Sequence, residues 1–298
     1  MICLSIVGHL TIDEIFVGGR RYESMGGVVC YAGLAARALG ARVRIFSKIG
    51  EDFPRSYLKI LETAGIDISH VEAVSPHTTR FQLDYSEDER VVKISSRAGD
   101  LDLNPEHHTE SDAIYLGPVA WELSLDSIKR LSKGFEKVAL DPQGLIRVPD
   151  EVGLIRLKRV DLTIPNLWIL RISKGEAEML SGRVNLDQIL EELKAFNAKV
   201  TILTLGRLGS LIACGSKTFE VPCYETRVED PTGAGDVFGG AFVVELLKSH
   251  DVKWAAAMGS AMASISVEKP SFYALLSAGI SEEARRRAEK VYELIEEL

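Results

Sequence analysis

The segment that organises this chain reads Asp230-Pro231-Thr232-Gly233-Ala234-Gly235-Asp236, and an apolar run follows it from 237 to 247. The run has the length and composition of an amphipathic helix, so both glycines fall directly before a helix N-terminus. Backbone N–H groups at such a terminus lack intrahelical partners and attract anions. The segment therefore predicts an anion site that suits a phosphate group.

Asp236 opens the same helix, and its carboxylate has two explanations. A carboxylate in the first turn stabilises a helix by complementing the helix dipole. Beside an anion site, a carboxylate can also accept the proton of a hydroxyl group while the site stabilises the transferred group. These are the two requirements of phosphoryl transfer to an alcohol, and we predict that chemistry for this loop.

Apolar runs with strand character alternate with helical patterns through most of the chain. The predicted strands are 3–7, 43–46, 113–116, 137–140, 169–172 and 200–204, and the predicted helices are 27–39, 55–64, 186–196, 237–247, 254–267 and 281–297. The alternation predicts the α/β class, with a doubly wound, mostly parallel sheet and helices on both faces. Such sheets bind ligands at the carboxyl ends of their strands.

Two segments interrupt the alternation and have the pattern of β-hairpins. The first runs from Ile15 to Glu23, and the second runs from Thr79 to Ile94 with its turn at 86–89. We expect these hairpins, at about 13–25 and 79–95, to form a small β-hairpin lid over the sheet. The whole 298-residue chain is expected to be one domain.

Composition excludes several classes of protein. The chain has 35 basic and 43 acidic residues, a formal charge of -8, which disfavours binding to nucleic acid and anionic membranes. No apolar stretch reaches the length of a bilayer span, and no basic leader precedes the first strand. The cysteines lack C-x-x-C spacing, and His107-His108 are expected to be a solvated surface pair. These features predict a cytoplasmic protein.

Motifs of other nucleotide-binding folds are absent from the sequence. The pattern G-x-x-x-x-G-K-[ST] does not occur. A nicotinamide oxidoreductase would share the α/β layout, yet Phe238 stands where a dinucleotide fingerprint beginning at Gly233 requires a glycine. The glycines also lie near the end of the chain, far from an opening βαβ unit. We therefore expect neither a P-loop nor a nicotinamide site.

Asp230 to Asp236 resembles the D-x-T-G-A-G-D signature of the ribokinase-like (PfkB) carbohydrate and nucleoside kinases. Two more features resemble that family: Asp13 after the first strand, and Gly26-Gly27 before the first long helix. Because the three features are spread over nearly the whole chain in the family's order, the resemblance extends from end to end. It implies the ribokinase-like fold and a kinase that depends on ATP and Mg²⁺.

The resemblance also implies a role for each matching residue. Asp236 resembles the catalytic base, and the backbone amides before it resemble the anion hole for the developing charge. The amides belong to Gly233, Ala234 and Gly235, and the residues that resemble the acceptor contacts are Asp13, Gly26 and Gly27. The residues that resemble the nucleotide side of the site are Thr204, Gly206, Gly209 and Thr232.

The carboxylates of Glu176 and Asp230 can each be explained either by the resemblance to the kinase family or by local backbone geometry. Glu176 resembles the glutamate of the N-x-x-E motif, which acts on Mg²⁺ and phosphate through water, although Ser173 replaces the asparagine. Ser173 and Glu176 also have the spacing of a helix capping box. Asp230 resembles a position that helps a monovalent cation order the loop in some members, and turn geometry beside Pro231 explains it equally well.

Two local patterns resemble the inositol kinases of this family. One is Gly8-His9 ahead of Asp13, and the other is Asp-Pro-Gln-Gly-Leu-Ile-Arg at 141–147, after a central strand. Gln143 and Arg147 are expected at the carboxyl end of that strand, where a polar pair can bind substrate. The same residues can also be explained without a ligand, as a turn that begins at Asp-Pro and an arginine on the surface.

The leading prediction is an ATP-dependent kinase that phosphorylates a hydroxyl of a small cyclic polyol or sugar, with myo-inositol the first candidate. Tyr31 stands where ribose-type members have an asparagine, which argues against ribose, but the ring can equally pack in the core. The alternatives are a nucleoside kinase of the same family and, in another class, a noncatalytic sugar-binding sensor. The first hairpin is shorter than the lid strands of dimeric ribokinases, so both a monomer and a homodimer stay open.

Overall fold

The computed structural model describes residues 1–86, 90–103 and 110–298. Residues 87–89 of the predicted hairpin turn and the His107-His108 pair lie outside the described residues. Among the described residues, no helix combines the length and the apolar character needed to cross a membrane.

Strands and helices alternate along the described residues. The strands are β1 (Cys3–Val7), β2 (Thr11–Val17), β3 (Arg20–Gly26), β4 (Arg42–Gly50), β5 (Asp67–Ser75), β6 (Thr79–Asp84), β7 (Val91–Ser96), β8 (Ala113–Leu116), β9 (Val138–Leu140), β10 (Arg147–Pro149), β11 (Ile155–Leu157), β12 (Leu167–Ser173), β13 (Val200–Thr204), β14 (Ser210–Cys214), β15 (Lys217–Val221) and β16 (Glu296–Glu297). The helices are α1 (Val28–Ala38), α2 (Arg55–Thr63), α3 (Leu125–Lys133), α4 (Gln143–Ile146), α5 (Lys174–Ser181), α6 (Leu186–Leu193), α7 (Ala234–Ser249), α8 (Val252–Ser266) and α9 (Ile280–Glu293).

The large sheet has the strand order β16-β15-β14-β13-β12-β9-β8-β1-β4-β5. Neighbours from β13 to β5 are parallel, and β14, β15 and β16 extend the sheet antiparallel at one edge. The chain first adds strands on one side of β1 and then on the other, so the order reverses between β1 and β8. A crevice forms at the carboxyl ends of strands where the order reverses. The predicted doubly wound, mostly parallel sheet is confirmed.

Helices cover both faces of this sheet. Phe242 of α7 and Met258 of α8 belong to one apolar core, which α1 and α9 also enter. Leu131 of α3 and Ile189 of α6 belong to a second core, which includes α5. The two cores bury both faces of the parallel strands, as their continuously apolar sequences require.

The small sheet has the order β3-β2-β6-β7. Each of its hairpins is antiparallel, and the two hairpins join through parallel pairing of β2 with β6. Successive side chains of a strand alternate between faces, so Phe81 and Leu83 of β6 are buried on the same face. The small sheet is therefore a separate layer, whose first strand follows the carboxyl end of β1.

Two predicted helices differ from the structure. The helix after the glycine loop is not amphipathic, because every residue from 237 to 247 is buried between α1, α8 and the sheet. The C-terminal helix ends at Glu293 and not at 297, because Ile295 turns into the core and Glu296–Glu297 pair with β15. The edge strand is an interaction between distant segments, which helical periodicity does not reveal.

Candidate active site

A cleft lies between the small sheet and the carboxyl ends of the central strands. Several residues singled out in the sequence line it, namely Asp13, Gly27, Gln143, Arg147, Thr232, Gly233 and Asp236. The small sheet contributes Phe81, Leu83 and Val92 to the opposite wall. The structure therefore brings residues from the beginning, middle and end of the sequence to one place.

The loop before α7 is held by its first residue. Asp230 is fully buried and accepts hydrogen bonds from the Thr232 amide at 2.9 Å, the Ser271 amide at 2.6 Å and the Tyr22 hydroxyl. The first of these bonds is the Asx turn that an aspartate commonly forms. Because Tyr22 belongs to β3, its bond also ties the small sheet directly to the loop. These contacts favour the turn explanation of Asp230.

The loop needs glycine at two positions because side chains from other elements occupy the adjacent space. Gly233 has a φ of +76°, and a Cβ there would lie 2.4 Å from the Tyr31 ring. A Cβ at Gly235 would lie 1.6 Å from Arg171 Nη2. Tyr31 is itself fully buried, as the core explanation of this residue requires, and it also lines the cleft.

The first turn of α7 reaches the cleft at Gly233 and Asp236. Gly233 is the N-cap of this 16-residue helix, whose first N–H groups cannot bond within the helix. The Ala234 amide donates to the Pro231 carbonyl at 3.3 Å, so this member of the predicted anion hole already takes part in the turn. The helix N-terminus directs partial positive charge at the cleft.

Asp236 is a partly buried carboxylate on the cleft wall. Gln143 Nε2 donates to its Oδ1 at 3.3 Å, and Arg171 Nη1 lies 3.6 Å from the same oxygen. Desolvation and then the charge of Asp141 raise the pKa of Asp236 to about 7, against the effect of nearby arginines. A carboxylate with a pKa near neutrality is a stronger proton acceptor than an ordinary one.

Asp13 lies on another wall of the cleft, in β2. Thr11 Oγ1 donates to its Oδ1 at 2.7 Å, and burial raises the pKa of Asp13 to about 7 against that hydrogen bond. A Cβ at Gly26 would lie 1.9 Å from Asp13 Oδ2. A Cβ at Gly27, where φ is +90°, would lie 2.2 Å from the His9 carbonyl oxygen. Gly26 therefore allows the backbone to approach the Asp13 carboxylate closely, and Gly27 allows it to approach the His9 carbonyl.

Glu176 forms the capping box expected at the start of α5. Its Oε2 accepts from the Ser173 amide at 3.1 Å and from the Ser173 hydroxyl at 2.7 Å. Its Oε1 lies 3.5 Å from Arg147 Nη2. Burial opposes ionisation, but the charge of Arg147 lowers the pKa of Glu176 overall. The structure thus connects Glu176 to the cleft through Arg147.

Three of the residues that resemble the nucleotide side lie at or just after the end of β13, and the fourth, Thr232, lies in the loop before α7. Thr204 ends β13, and its Oγ1 accepts a hydrogen bond from Arg171 Nη2 at 3.2 Å. Gly206 and Gly209 have φ of +63° and +93° in the turn between β13 and β14. A Cβ at Gly209 would lie 2.1 Å from the Val221 carbonyl oxygen, whereas one at Gly206 would meet nothing within 4 Å. Thr232 alone among the predicted nucleotide-side residues also lines the cleft.

A comparison with known families decides the class of protein. The model of the pfkB family carbohydrate kinases matches residues 18–278, a range that begins after β2 and includes β3, the second hairpin and the glycine loop. The chain belongs to the PfkB family. This kinase is a phosphotransferase with a hydroxyl acceptor, and its kinase homologues act on small-molecule sugar or nucleoside substrates. The predicted family and enzyme class are confirmed, which favours catalysis over the sensor alternative.

Several characterised kinases are similar over most of this PfkB kinase. It is 28% identical to the cytidine kinase of Thermococcus kodakarensis, over 87% of this chain and 94% of that protein. It is 26% identical to the inositol 3-kinase of Arabidopsis thaliana, over 95% of this chain and 79% of that protein. A solved pyrophosphate-dependent kinase in the ribokinase family, complexed with a pyrophosphate analog and myo-inositol, has 22% identity and a TM-score of 0.80, covering 97% of this chain and 99% of its own. The fold is therefore ribokinase-like.

Sequence analysis missed one basic residue of this PfkB kinase that touches Asp236. Arg171 lies inside β12, and its Nη1 is 2.5 Å from Asp141 Oδ2. Asp141 is fully buried, and the sequence placed it in the 141–147 pattern, either as part of an inositol-kinase-like motif or as the start of a turn, without a role of its own. The sequence does mark Arg171 as unusual, because it is the only charged residue in the apolar run 167–173. A buried arginine requires a carboxylate partner, but the sequence does not say which one.

Proposed function

We propose that the protein transfers the γ-phosphoryl group of ATP to a hydroxyl of a small cyclic polyol or sugar, with myo-inositol as the leading candidate. The observation that carries this proposal is that Asp13, Gln143 and Asp236 line one cleft, with Gln143 hydrogen-bonded to Asp236. Polar groups on several walls can bind several hydroxyls of one ring, and one of those hydroxyls would face Asp236.

The proposed reaction assigns one proton transfer to Asp236. Its carboxylate accepts the proton of the acceptor hydroxyl as the oxygen attacks the γ-phosphorus. The bond between that phosphorus and the bridging oxygen breaks, and ADP leaves with the electron pair. The N-terminus of α7, with the amides of Gly233, Ala234 and Gly235, stabilises the negative charge of the transferring group, and the Ala234 amide shares its hydrogen between that group and the Pro231 carbonyl.

The proposed acceptor site uses the remaining early residues. Asp13 and Gln143 supply oxygen and amide groups, and Arg147 supplies a cation. The Gly26-Gly27 backbone lets the acceptor approach Asp13 because neither residue has a side chain. The chain is proposed to be one domain, in which Phe81, Leu83 and Val92 of the small sheet act as the lid that excludes water, a competing acceptor.

The residues present fit ATP and Mg²⁺. Solved neighbours include an Arabidopsis thaliana ribokinase with ribose and ATP and a Vibrio cholerae fructokinase with fructose, ADP and calcium ion, which supports a nucleotide and a divalent cation here. Among the described residues no group of three His, Cys, Asp or Glu could hold a metal alone, and Mg²⁺ commonly binds with one or two carboxylates plus substrate phosphates. Glu176 would act on hydrated Mg²⁺, which neutralises phosphate charge when bound. The residues proposed for the nucleotide are Thr204, Gly206, Gly209 and Thr232.

The proposal also covers the monovalent cation, the cellular location and the oligomeric state. Asp230 already accepts three hydrogen bonds, which supports a loop that is ordered without a monovalent cation on this carboxylate. We propose a cytoplasmic enzyme that is a monomer or a homodimer.

A nucleoside kinase is the second candidate, and the lid favours it specifically. Phe81, Leu83 and Val92 present apolar groups to the cleft, and an apolar wall can pack against a nucleobase. The similarity to the cytidine kinase of Thermococcus kodakarensis supports the same acceptor class.

An acceptor panel separates the two candidates. Release of ADP would be measured with ATP and Mg²⁺ against inositols, hexoses, 2-keto-3-deoxy acids and nucleosides, and phosphate release with pyrophosphate as donor would be measured in parallel. We expect the highest kcat/KM with an inositol. Turnover confined to nucleosides would reject the polyol assignment and establish the second candidate.

A further inference from the structure

Arg171 is the residue through which three parts of the site are connected. From β12, its Nη1 contacts Asp141 Oδ2 at 2.5 Å and lies 3.6 Å from Asp236 Oδ1. Its Nη2 donates to Thr204 Oγ1 at 3.2 Å. Arg171 is only 8% exposed, and it is not among the side chains that line the cleft. It therefore acts on the cleft through Asp236 and not by touching a ligand there.

The guanidinium also determines the position of the first turn of α7. A Cβ at Gly235 would lie 1.6 Å from Arg171 Nη2, so the guanidinium occupies the space beside the backbone that carries Asp236. The planar group, held by Asp141 on one side and Thr204 on the other, cannot move away without breaking both contacts. Arg171 consequently restrains both the backbone next to Asp236 and the carboxylate of Asp236.

The ionised carboxylates of Asp141 and Asp236 would repel each other, and the positive charge of Arg171 lies between them. Asp141 is a fully buried carboxylate that faces Asp236, and two nearby carboxylates do not ionise together without a cation between them. The charged or titratable groups that face Asp236 are Asp141, Arg171, Arg147, Arg90, Cys30 and Tyr115. Arg171 contacts both carboxylates, whereas Arg147 pairs with Glu176 and Arg90 lies over the Tyr85 ring.

We propose that Arg171 is a positioning residue that serves as the shared counter-charge of Asp141 and Asp236, favouring the carboxylate form of Asp236 and fixing it against the start of α7. Asp141, in turn, limits how strongly Arg171 attracts Asp236. Without Asp141, Arg171 would favour the ionised form of Asp236 more strongly and weaken it as a base. The inference rests on the proposed role of Asp236 as the base.

Four variants test this arrangement, namely Arg171→Gln, Arg171→Lys, Asp141→Asn and the double variant Asp141→Asn/Arg171→Gln. The apparent pKa of Asp236 would be measured by carbon NMR of labelled aspartate carboxyls, with Asp236→Asn used to assign the signal. This readout needs no acceptor. Where the panel identifies an acceptor, the pH dependence of kcat would be measured as well.

We expect Arg171→Gln to raise the apparent pKa of Asp236 by about one unit or more, because the charge between two carboxylates is lost. The ratio of activity at pH 6.5 to activity at pH 8.5 should then be about fivefold or more lower in Arg171→Gln than in the wild type. Asp141→Asn should shift the pKa downward, and the double variant should return it close to the wild-type value. Arg171→Lys should largely preserve the pKa but lower kcat, because a lysine cannot maintain the planar contacts.

A purely structural role of Arg171 predicts lower stability and lower kcat at every pH with the Asp236 titration unchanged, and that result would overturn the proposal. If Arg171→Gln does not fold, Asp141→Asn still decides the question, because an unchanged or raised pKa there contradicts the shared counter-charge. Failure of the base assignment has a different signature: Asp236→Asn would remain active whatever the titrations show.

Discussion

Asp13, in a strand of the small sheet, and Asp236, in the first turn of α7, face one cleft, and desolvation raises the pKa of each carboxyl to about 7. Two carboxyls that titrate near neutrality in one cleft are uncommon away from functional sites. Burial destabilises the ionised form of both carboxyls until a proton or a ligand neutralises it. The two ionised carboxylates therefore lower the stability of the unliganded fold.

The first prediction concerns the base. Asp236→Asn should lower kcat by about 10²- to 10⁴-fold, because the amide cannot accept the hydroxyl proton. Nucleotide affinity, measured by isothermal titration calorimetry with an ATP analogue, should change little. Asp126→Asn, an exposed first-turn aspartate of α3, is the matched control and should retain full activity. An Asp236→Asn enzyme with near wild-type kcat would place the base elsewhere.

The second prediction concerns stability and pH. A carboxyl whose folded pKa exceeds its unfolded value binds more protons in the folded state, so stability falls as pH rises from about 4 to about 7. Asp13→Asn and Asp236→Asn should each reduce this fall and raise the Tm at pH 8, by about 3 °C or more. Thermal melts at pH 5 and pH 8 measure the effect. Melting curves with the same pH dependence in wild type and both variants would contradict it.

The third prediction concerns the glycine loop. Gly233→Ala should lower both stability and kcat, since the new methyl group must displace the Tyr31 ring in addition to adopting a positive φ. Gly182→Ala is the matched control, because Gly182 has a φ of +69° with no atom within 4 Å of its would-be Cβ. The difference between the two Tm losses isolates the Tyr31 contact. Equal losses would show that the backbone conformation alone matters.

The fourth prediction separates the two explanations of Glu176. Ser173→Ala removes the hydroxyl partner of the capping box and should cost about 1 kcal/mol of unfolding free energy, with the Mg²⁺ requirement unchanged. Glu176→Gln should also raise the Mg²⁺ concentration for half-maximal activity severalfold, because its charge would be missing beside the phosphates. If both variants need the same Mg²⁺ concentration for half-maximal activity, Glu176 acts only in the capping box.

Much of the fold could be predicted because its signals are local. The parallel strands from 113 to 116 and from 200 to 204 have the predicted bounds, since a continuous apolar run must be buried on both faces. The hairpin of β14 and β15 was missed, although Gly215 with a φ of +60° marks its turn. β5 was also missed, because an edge strand with exposed residues lacks the apolar pattern of its neighbours.

The residues of the site were predicted less evenly than the strands. Asp13, Gln143 and Asp236 were predicted from motifs, and the structure places all three in the cleft. Arg171 was missed because its partners, Asp141 and Asp236, lie on other elements. No spacing rule connects residues that meet only when β9, β12 and α7 come together.

The sequence by itself determined that a glycine loop opens a helix beside Asp236, and that strands and helices alternate around a parallel sheet. Those properties follow from backbone geometry and side-chain periodicity over a few neighbouring residues. The tertiary structure alone decided that Tyr31 and Arg171 shape the loop and that Asp13 and Asp236 have raised pKa values. Desolvation and charge pairing depend on atoms that are distant in sequence, so they appear only when the chain has folded.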